Sequence, residues 1–145
     1  MAEGVFRSLA KANPRVGIID SAGTGAYHTL EPPDYRTMDT LRKHKITDYD
    51  HGARKVTEDD MKEFDYIFAM DSSNLHDLQR IQRRVDSKGT KSKAQVMLFG
   101  EYSGKKRAEN IEDPYYGVDN GFEIVYEQVT RFSKNFLAKE VDKTE

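Results

Sequence analysis

A chain of 145 residues is long enough to bury one core without covalent staples and calls for a single domain, residues 1–145. It contains no cysteine, which excludes a disulfide framework, a thiolate metal site and a thiol nucleophile within it. A net charge of -2 with both signs mixed excludes a broad basic field for nucleic acid, and no apolar run is long enough to span a bilayer. Partners are therefore small or local. The N-terminus is amphipathic rather than a signal peptide, so the expected location is cytoplasmic, and no cofactor or metal site is expected.

In chain order, Val5, Phe6, Leu9 and Ala10 recur at helical spacing. After Asn13-Pro14, the apolar run Val16-Gly17-Ile18-Ile19 reads as a buried strand that opens into the loop Asp20-Ser21-Ala22-Gly23-Thr24-Gly25. The Gly-x-Gly lacks both the third glycine and the following helix of a dinucleotide fingerprint, so a loop conformation explains it. Tyr27 to Pro33 is a rigidified loop. Asp34 starts a helix carrying Tyr35, Met38 and Leu41 toward Lys45, and His44 is a favourable cation near its end. Asp48 to His51 is a polar connection. Thr57 with Asp60 predicts a capping box for a short helix carrying Met61 and Phe64.

Tyr66 to Met70 predicts a second strand, ending on Asp71. Ser72 or Ser73 caps the next helix, whose Leu75, Leu78 and Ile81 face inward while Arg80, Arg83 and Arg84 face water. Gln95 to Phe99 predicts a third strand before Gly100. Phe122, Val125, Tyr126, Val129, Phe136 and Leu137 then follow one helical face, with fraying from Glu140 to Glu145. Strand and helix alternate, and the strands are apolar throughout rather than two-faced. The expected fold class is therefore three-layer α/β, with a doubly wound parallel sheet.

The loop before the last helix carries Asp113-Pro114-Tyr115-Tyr116-Gly117. An acid held beside a proline and two tyrosines, just after Glu109 and Glu112, sits in an apolar and like-charged setting that raises its pKa, which suits a proton donor.

Taken with Met1-Ala2-Glu3-Gly4-Val5-Phe6, Asp20-Ser21-Ala22, Pro32-Pro33-Asp34-Tyr35-Arg36, His51-Gly52-Ala53-Arg54, Phe64-Asp65-Tyr66-Ile67 and Met70-Asp71-Ser72-Ser73-Asn74-Leu75, that loop resembles the low molecular weight protein tyrosine phosphatases over essentially the whole chain. The resemblance implies a four-stranded parallel sheet in the spatial order 2-1-3-4 and hydrolysis of phosphotyrosine or aryl phosphate esters through a phosphocysteine. It also implies that a first, central strand and a Cys-x5-Arg-Ser-Pro loop precede the segment starting here at Met1. This chain therefore corresponds to the family domain without its nucleophile, its phosphate cradle and its arginine fork, and is expected to be inactive as given. A non-catalytic short isoform or pseudophosphatase acting as a binding module is the other reading.

Carried over residue by residue, Asp113 matches the general acid. Tyr115 and Tyr116 match residues that flank the pocket mouth and stack an aromatic substrate, and Tyr27 matches another wall, followed by His28 where relatives often carry an acid, so that selectivity is expected to differ there. Ser21 and His51 match a buried polar network with the carboxylates of Glu3 and Asp20, which would raise the His51 pKa. Asp71 and Ser72 match its sheet-end side. The expected partners are a phosphotyrosine protein or small aryl phosphate, neither nucleic acid nor membrane, and a second copy through the incomplete sheet.

Overall fold

The computed structural model describes residues 1–24, 35–47, 54–112 and 120–142. Its elements run α1 (Ala2–Ala10), α2 (Tyr35–Lys43), α3 (Glu58–Glu63), β1 (Tyr66–Ala69), α4 (Ser72–Ser87), β2 (Gln95–Leu98), a 3-10 turn (Phe99–Tyr102), α5 (Gly121–Phe136) and a π-turn (Leu137–Val141).

β1 and β2 pair in parallel, Tyr66 opposite Gln95 through Ala69 opposite Leu98, with α4 as the crossover. Because successive side chains alternate between faces, Tyr66, Phe68 and Met97 enter one apolar cluster while Ile67, Ala69, Val96 and Leu98 enter another. The first cluster is built from α1, α2 and α5 around Val5, Leu41, Val129, Phe132 and Phe136. The second is built from α3 and α4 around Met61, Leu78 and Val85. Helices thus cover both faces of a parallel sheet, the expected α/β layering.

The capping box at α3 is present, Thr57 accepting from the Asp60 N–H and Asp60 from the Thr57 N–H. Three expectations need correction. Asp71, not Ser72 or Ser73, caps α4, its carboxylate accepting the Asn74 N–H at 2.8 Å. That charged acceptor also faces the positive end of the helix, where a hydroxyl offers only a dipole. The C-terminal helix does not fray at Glu140, because Leu137 is buried and Val141 packs on the first cluster, which carries the turn on to Val141.

The third correction concerns Val16 to Asp20, which is not a strand. A strand is held by a neighbour's backbone groups, and among the described residues none lies beside this run; Ile18 stays 84% exposed. Its anchorage is local. Arg7 Nη2 reaches the Ile19 carbonyl at 2.8 Å across a cavity of about 270 Å³ lined by Gly4, Arg7, Val16 and Gly17. Parallel pairing begins only at Gly23, bridged to Lys55. The described sheet accordingly has two strands, fewer than the three the sequence led us to expect. The Phe99 end of the predicted third strand turns into the 3-10 segment.

Candidate active site

Two polar assemblies stand out, one linking α1 to α3 and the other at the carboxyl ends of β1 and β2, where open α/β sheets bind ligands. The first starts in α1. Glu3, with a side chain only 1% exposed, accepts the Ser21 hydroxyl at 2.8 Å on Oε1, and its Oε2 forms an ion pair with Arg7 at 3.0 Å without hydrogen-bond alignment. Asp20 accepts the Ser21 backbone N–H at 2.8 Å and Arg54 Nε at 2.9 Å. The other arm of Arg54 forks onto Asp60, at 2.9 and 3.2 Å. A continuous run of charge-assisted bonds thus joins α1, the loop after residue 20, the segment before α3 and α3 itself.

The electrostatics follow from those contacts. The Asp60 hydrogen bond, with Asp20 behind it, raises the Arg54 pKa despite burial. Burial alone would lift the Asp60 carboxyl; the Arg54 fork and the Thr57 N–H overcome it and hold Asp60 below the usual carboxylate range.

The second assembly holds the segment leading to Asp113. The Ile111 N–H donates to the Met70 carbonyl at 2.8 Å, Ser72 Oγ donates to Asn110 Oδ1 at 3.3 Å, and the Glu109 N–H donates to the Gly100 carbonyl at 3.2 Å. Residues 109–111 are therefore fastened to the C-terminal ends of both strands. Arg131 on α5 clamps them from outside. Its guanidinium forks onto Glu109 at 2.7 and 3.0 Å, takes Glu127 at 2.7 Å and donates to the Ser103 carbonyl at 2.6 Å. Gln128 adds bonds to Glu109 Oε1 and the Asn110 carbonyl. The Arg131 hydrogen bonds pull the Glu109 carboxyl down to about 2.

Glu109 is thus held as a carboxylate by Arg131, while Asp113 lies outside the described residues. Gly100 permits the whole arrangement, since a Cβ there would stand 1.7 Å from the Glu109 carbonyl oxygen.

Of the residues singled out in the sequence, the structure joins Glu3, Ser21 and Asp20 in one network. Asp71 caps α4 and Ser72 holds Asn110. Asp113, Tyr27, His28, Tyr115, Tyr116 and His51 lie outside the described residues. Sequence reasoning missed Arg54, Asp60, Asn110 and Arg131. Arg54 stood inside a quoted motif, and Asp60 had been assigned only to its cap. His44, expected as a simple helix-end cation, is instead 2.8 Å from Glu123 and stacked on Tyr126 at 3.6 Å. Among the described residues no cluster of His, Asp and Glu is placed to hold a metal ion, and no helix is long and apolar enough to cross a membrane.

Comparison with known proteins gives a consistent result. The family model for low molecular weight phosphotyrosine protein phosphatase matches residues 1–145. The protein of that name from Schizosaccharomyces pombe is 47% identical over 140 residues, covering 94% of this chain and 85% of its own. The Gallus gallus protein is 46% identical, covering 96% and 85%. Among solved structures, a Drosophila arginine phosphatase superposes with a TM-score of 0.84 at 33% identity, covering 94% of this chain and 85% of that one. YfkJ from Bacillus subtilis does so with a TM-score of 0.78 at 32% identity, covering 99% and 87%.

Proposed function

Because this chain belongs to the low molecular weight phosphotyrosine protein phosphatase family, we propose that it supplies the general-acid half of a phosphatase site, as one domain over residues 1–145, and needs a cysteine from outside its own sequence for turnover. The observation that carries this is the fastening of residues 109–111, which end two positions before Asp113, onto the carboxyl ends of both strands.

In the proposed reaction a thiolate attacks phosphorus of a phosphotyrosine or small aryl phosphate, and the P–O bond to the leaving group breaks. Asp113 gives its proton to that oxygen; in the second step it takes one from the water that attacks phosphorus, and the S–P bond breaks to release inorganic phosphate and return the thiolate. Tyr27, His28, Tyr115 and Tyr116 contact the aromatic group. Glu3, Asp20, Ser21 and His51, with Asp71 and Ser72 at the sheet end, hold the floor. This reading places the chain in the cytoplasm and adds a second partner, another copy met at the incomplete sheet.

The sequence holds no cysteine, so the nucleophile is absent from this chain. One lost oxyanion donor costs about 3 kcal/mol of transition-state stabilisation, and general acid catalysis alone supplies roughly a hundred- to ten-thousand-fold. Neither substitutes for the missing attack on phosphorus. The chain should therefore hydrolyse para-nitrophenyl phosphate at background rate, whereas a chain carrying an added strand and Cys-x5-Arg-Ser-Pro ahead of Met1 should be active and lose most turnover on Asp113→Asn. Side-by-side assay of both lengths, free of host phosphatases, is the test. Turnover by the short chain that vanishes with Asp113 would refute the chemistry. The missing cysteine also favours a second reading, a non-catalytic binding module, and an inactive long chain would select it.

A further inference from the structure

The chain has asparagine at positions 13, 74, 110, 120 and 135. An asparagine is lost chemically when the backbone nitrogen of the next residue attacks its side-chain carbonyl carbon, so each site is decided by what holds that nitrogen and what crowds it. Asn13 precedes Pro14, whose nitrogen has no proton to lose, and its own Nδ2 is bound to Asp142 at 2.8 Å. The nitrogen after Asn74 is that of Leu75, which donates to the Asp71 carbonyl at 3.0 Å. The nitrogen after Asn110 belongs to β-branched Ile111 and donates to the Met70 carbonyl at 2.8 Å. Asn135 lies inside α5, with Nδ2 on the Tyr102 carbonyl at 2.8 Å and the bulky Phe136 after it.

Asn120 has none of these restraints. It is exposed, and Gly121 follows it, so no side chain hinders the attacking nitrogen. As the first residue of α5, Gly121 has no acceptor within the helix, and among the described residues its N–H meets none elsewhere. Thr57 and Asp71 close the first turns of α3 and α4 with their side chains; Asn120 makes no such bond at α5. The five-membered ring needs the Gly121 nitrogen eclipsed with Cβ of Asn120, and a ψ of 12° there holds it well away, with Gly121 buried. Ring closure therefore waits on opening of the first turn, which an unmade cap and a glycine at its start favour.

Independently of the phosphatase chemistry, we infer that Asn120-Gly121 is a site of spontaneous deamidation at the start of α5. The Gly121 nitrogen loses its proton to solvent and attacks Asn120 Cγ; the Cγ–Nδ2 bond breaks, ammonia leaves and a succinimide closes. Water then opens the ring. Cleavage of the bond to Cγ gives aspartate, and cleavage of the bond to the main-chain carbonyl carbon gives isoaspartate. Either product adds a negative charge seven positions after Asp113. The aspartate form keeps the backbone and sets that charge at the positive end of α5. The isoaspartate form lengthens the main chain by one carbon and displaces the carbonyl that accepts the Ile124 N–H at 3.1 Å.

The test is incubation of the whole chain at about pH 8 beside a synthetic peptide of residues 118–124, with tryptic digestion and fragmentation spectra to locate each gain of about 1 Da. Trypsin releases residues 108–131 as one piece, and fragmentation separates Asn110 from Asn120 within it. The gain should fall on Asn120 before the other four, at no less than about one hundredth of the peptide's rate, with labelling by an isoaspartyl methyltransferase rising in step. Gly121→Ala should slow it about tenfold or more, because the added Cβ crowds the nitrogen. An earlier gain at another asparagine, a rate below that bound, absence of methyl labelling, or an alanine variant as fast as wild type would each overturn the inference. The ranking of the five sites is read on the wild type alone, so it does not depend on how the variant folds. None of these readouts involves phosphate ester turnover, and the phosphatase proposal stands or falls separately.

Discussion

Replacing Glu109 by Gln removes a charge from the fork on Arg131 while keeping the shape and a carbonyl acceptor for Gln128. The depression of the Glu109 carboxyl from 4.5 to about 2 would correspond to about 3 kcal/mol at full strength. The two side chains remain 23% and 25% exposed, so solvent screening lowers the expected contribution to about 1–2 kcal/mol, or about 2–8 °C in Tm. The sign follows from linkage. A carboxylate whose folded pKa lies below its unfolded value contributes fully above the unfolded value and loses that contribution as pH falls toward the folded one. Urea titrations of wild type and Glu109→Gln should therefore differ most at pH 7, by about half as much near pH 3, and converge toward pH 2. A difference independent of pH would mean that shape rather than charge holds the clamp. No difference at pH 7 would refute the clamp.

Arg54→Met should cost about 2–3 kcal/mol in urea unfolding, because it takes the guanidinium from the buried Asp60 and one hydrogen bond from Asp20, and adding Asp60→Asn to it should restore part of that loss; a cost below about 0.5 kcal/mol would show the fork to be idle. Gly100→Ala must push the Glu109 carbonyl away from a 1.7 Å overlap, so a loss of about 1–3 kcal/mol or more is expected by thermal melt, with weakened protection of the Glu109 amide. Met61→Ala empties a fully buried site between α3 and α4 and should cost about 2–5 kcal/mol; a smaller value would mean that the second cluster collapses freely around the gap.

The helices and the strand pair were legible because their signals are local. The apolar periodicity of α5, the Thr57 and Asp60 box and the uncharged run at Tyr66 each act within a few residues. The segment Val16 to Asp20 was not legible, since its pattern is that of a strand and pairing depends on a neighbour that its own residues cannot specify. The same limit applied to the site. Glu3, Asp20 and Ser21 emerged through resemblance, but Arg54 joining Asp20 to Asp60 is a contact across the fold, and no spacing in the chain announces it. The grip of Arg131 on Glu109, twenty-two positions apart, is another contact across the fold that no local pattern announces.

The packing of α1 against α5 also bears on the order of assembly during synthesis. β1, α4 and β2 form a local unit within residues 66–98, able to gather the second cluster as soon as that stretch exists. Val5 and Phe6 on α1 find Val129 and Phe136 only at the far end of the chain. Closing so long a loop adds little to the equilibrium cost, because the entropy grows only logarithmically with length, but it defers the contact. On the ribosome α1 emerges well before α5 and gains that burial only when α5 follows, and in the interval its apolar face is open to chaperones or to other nascent chains.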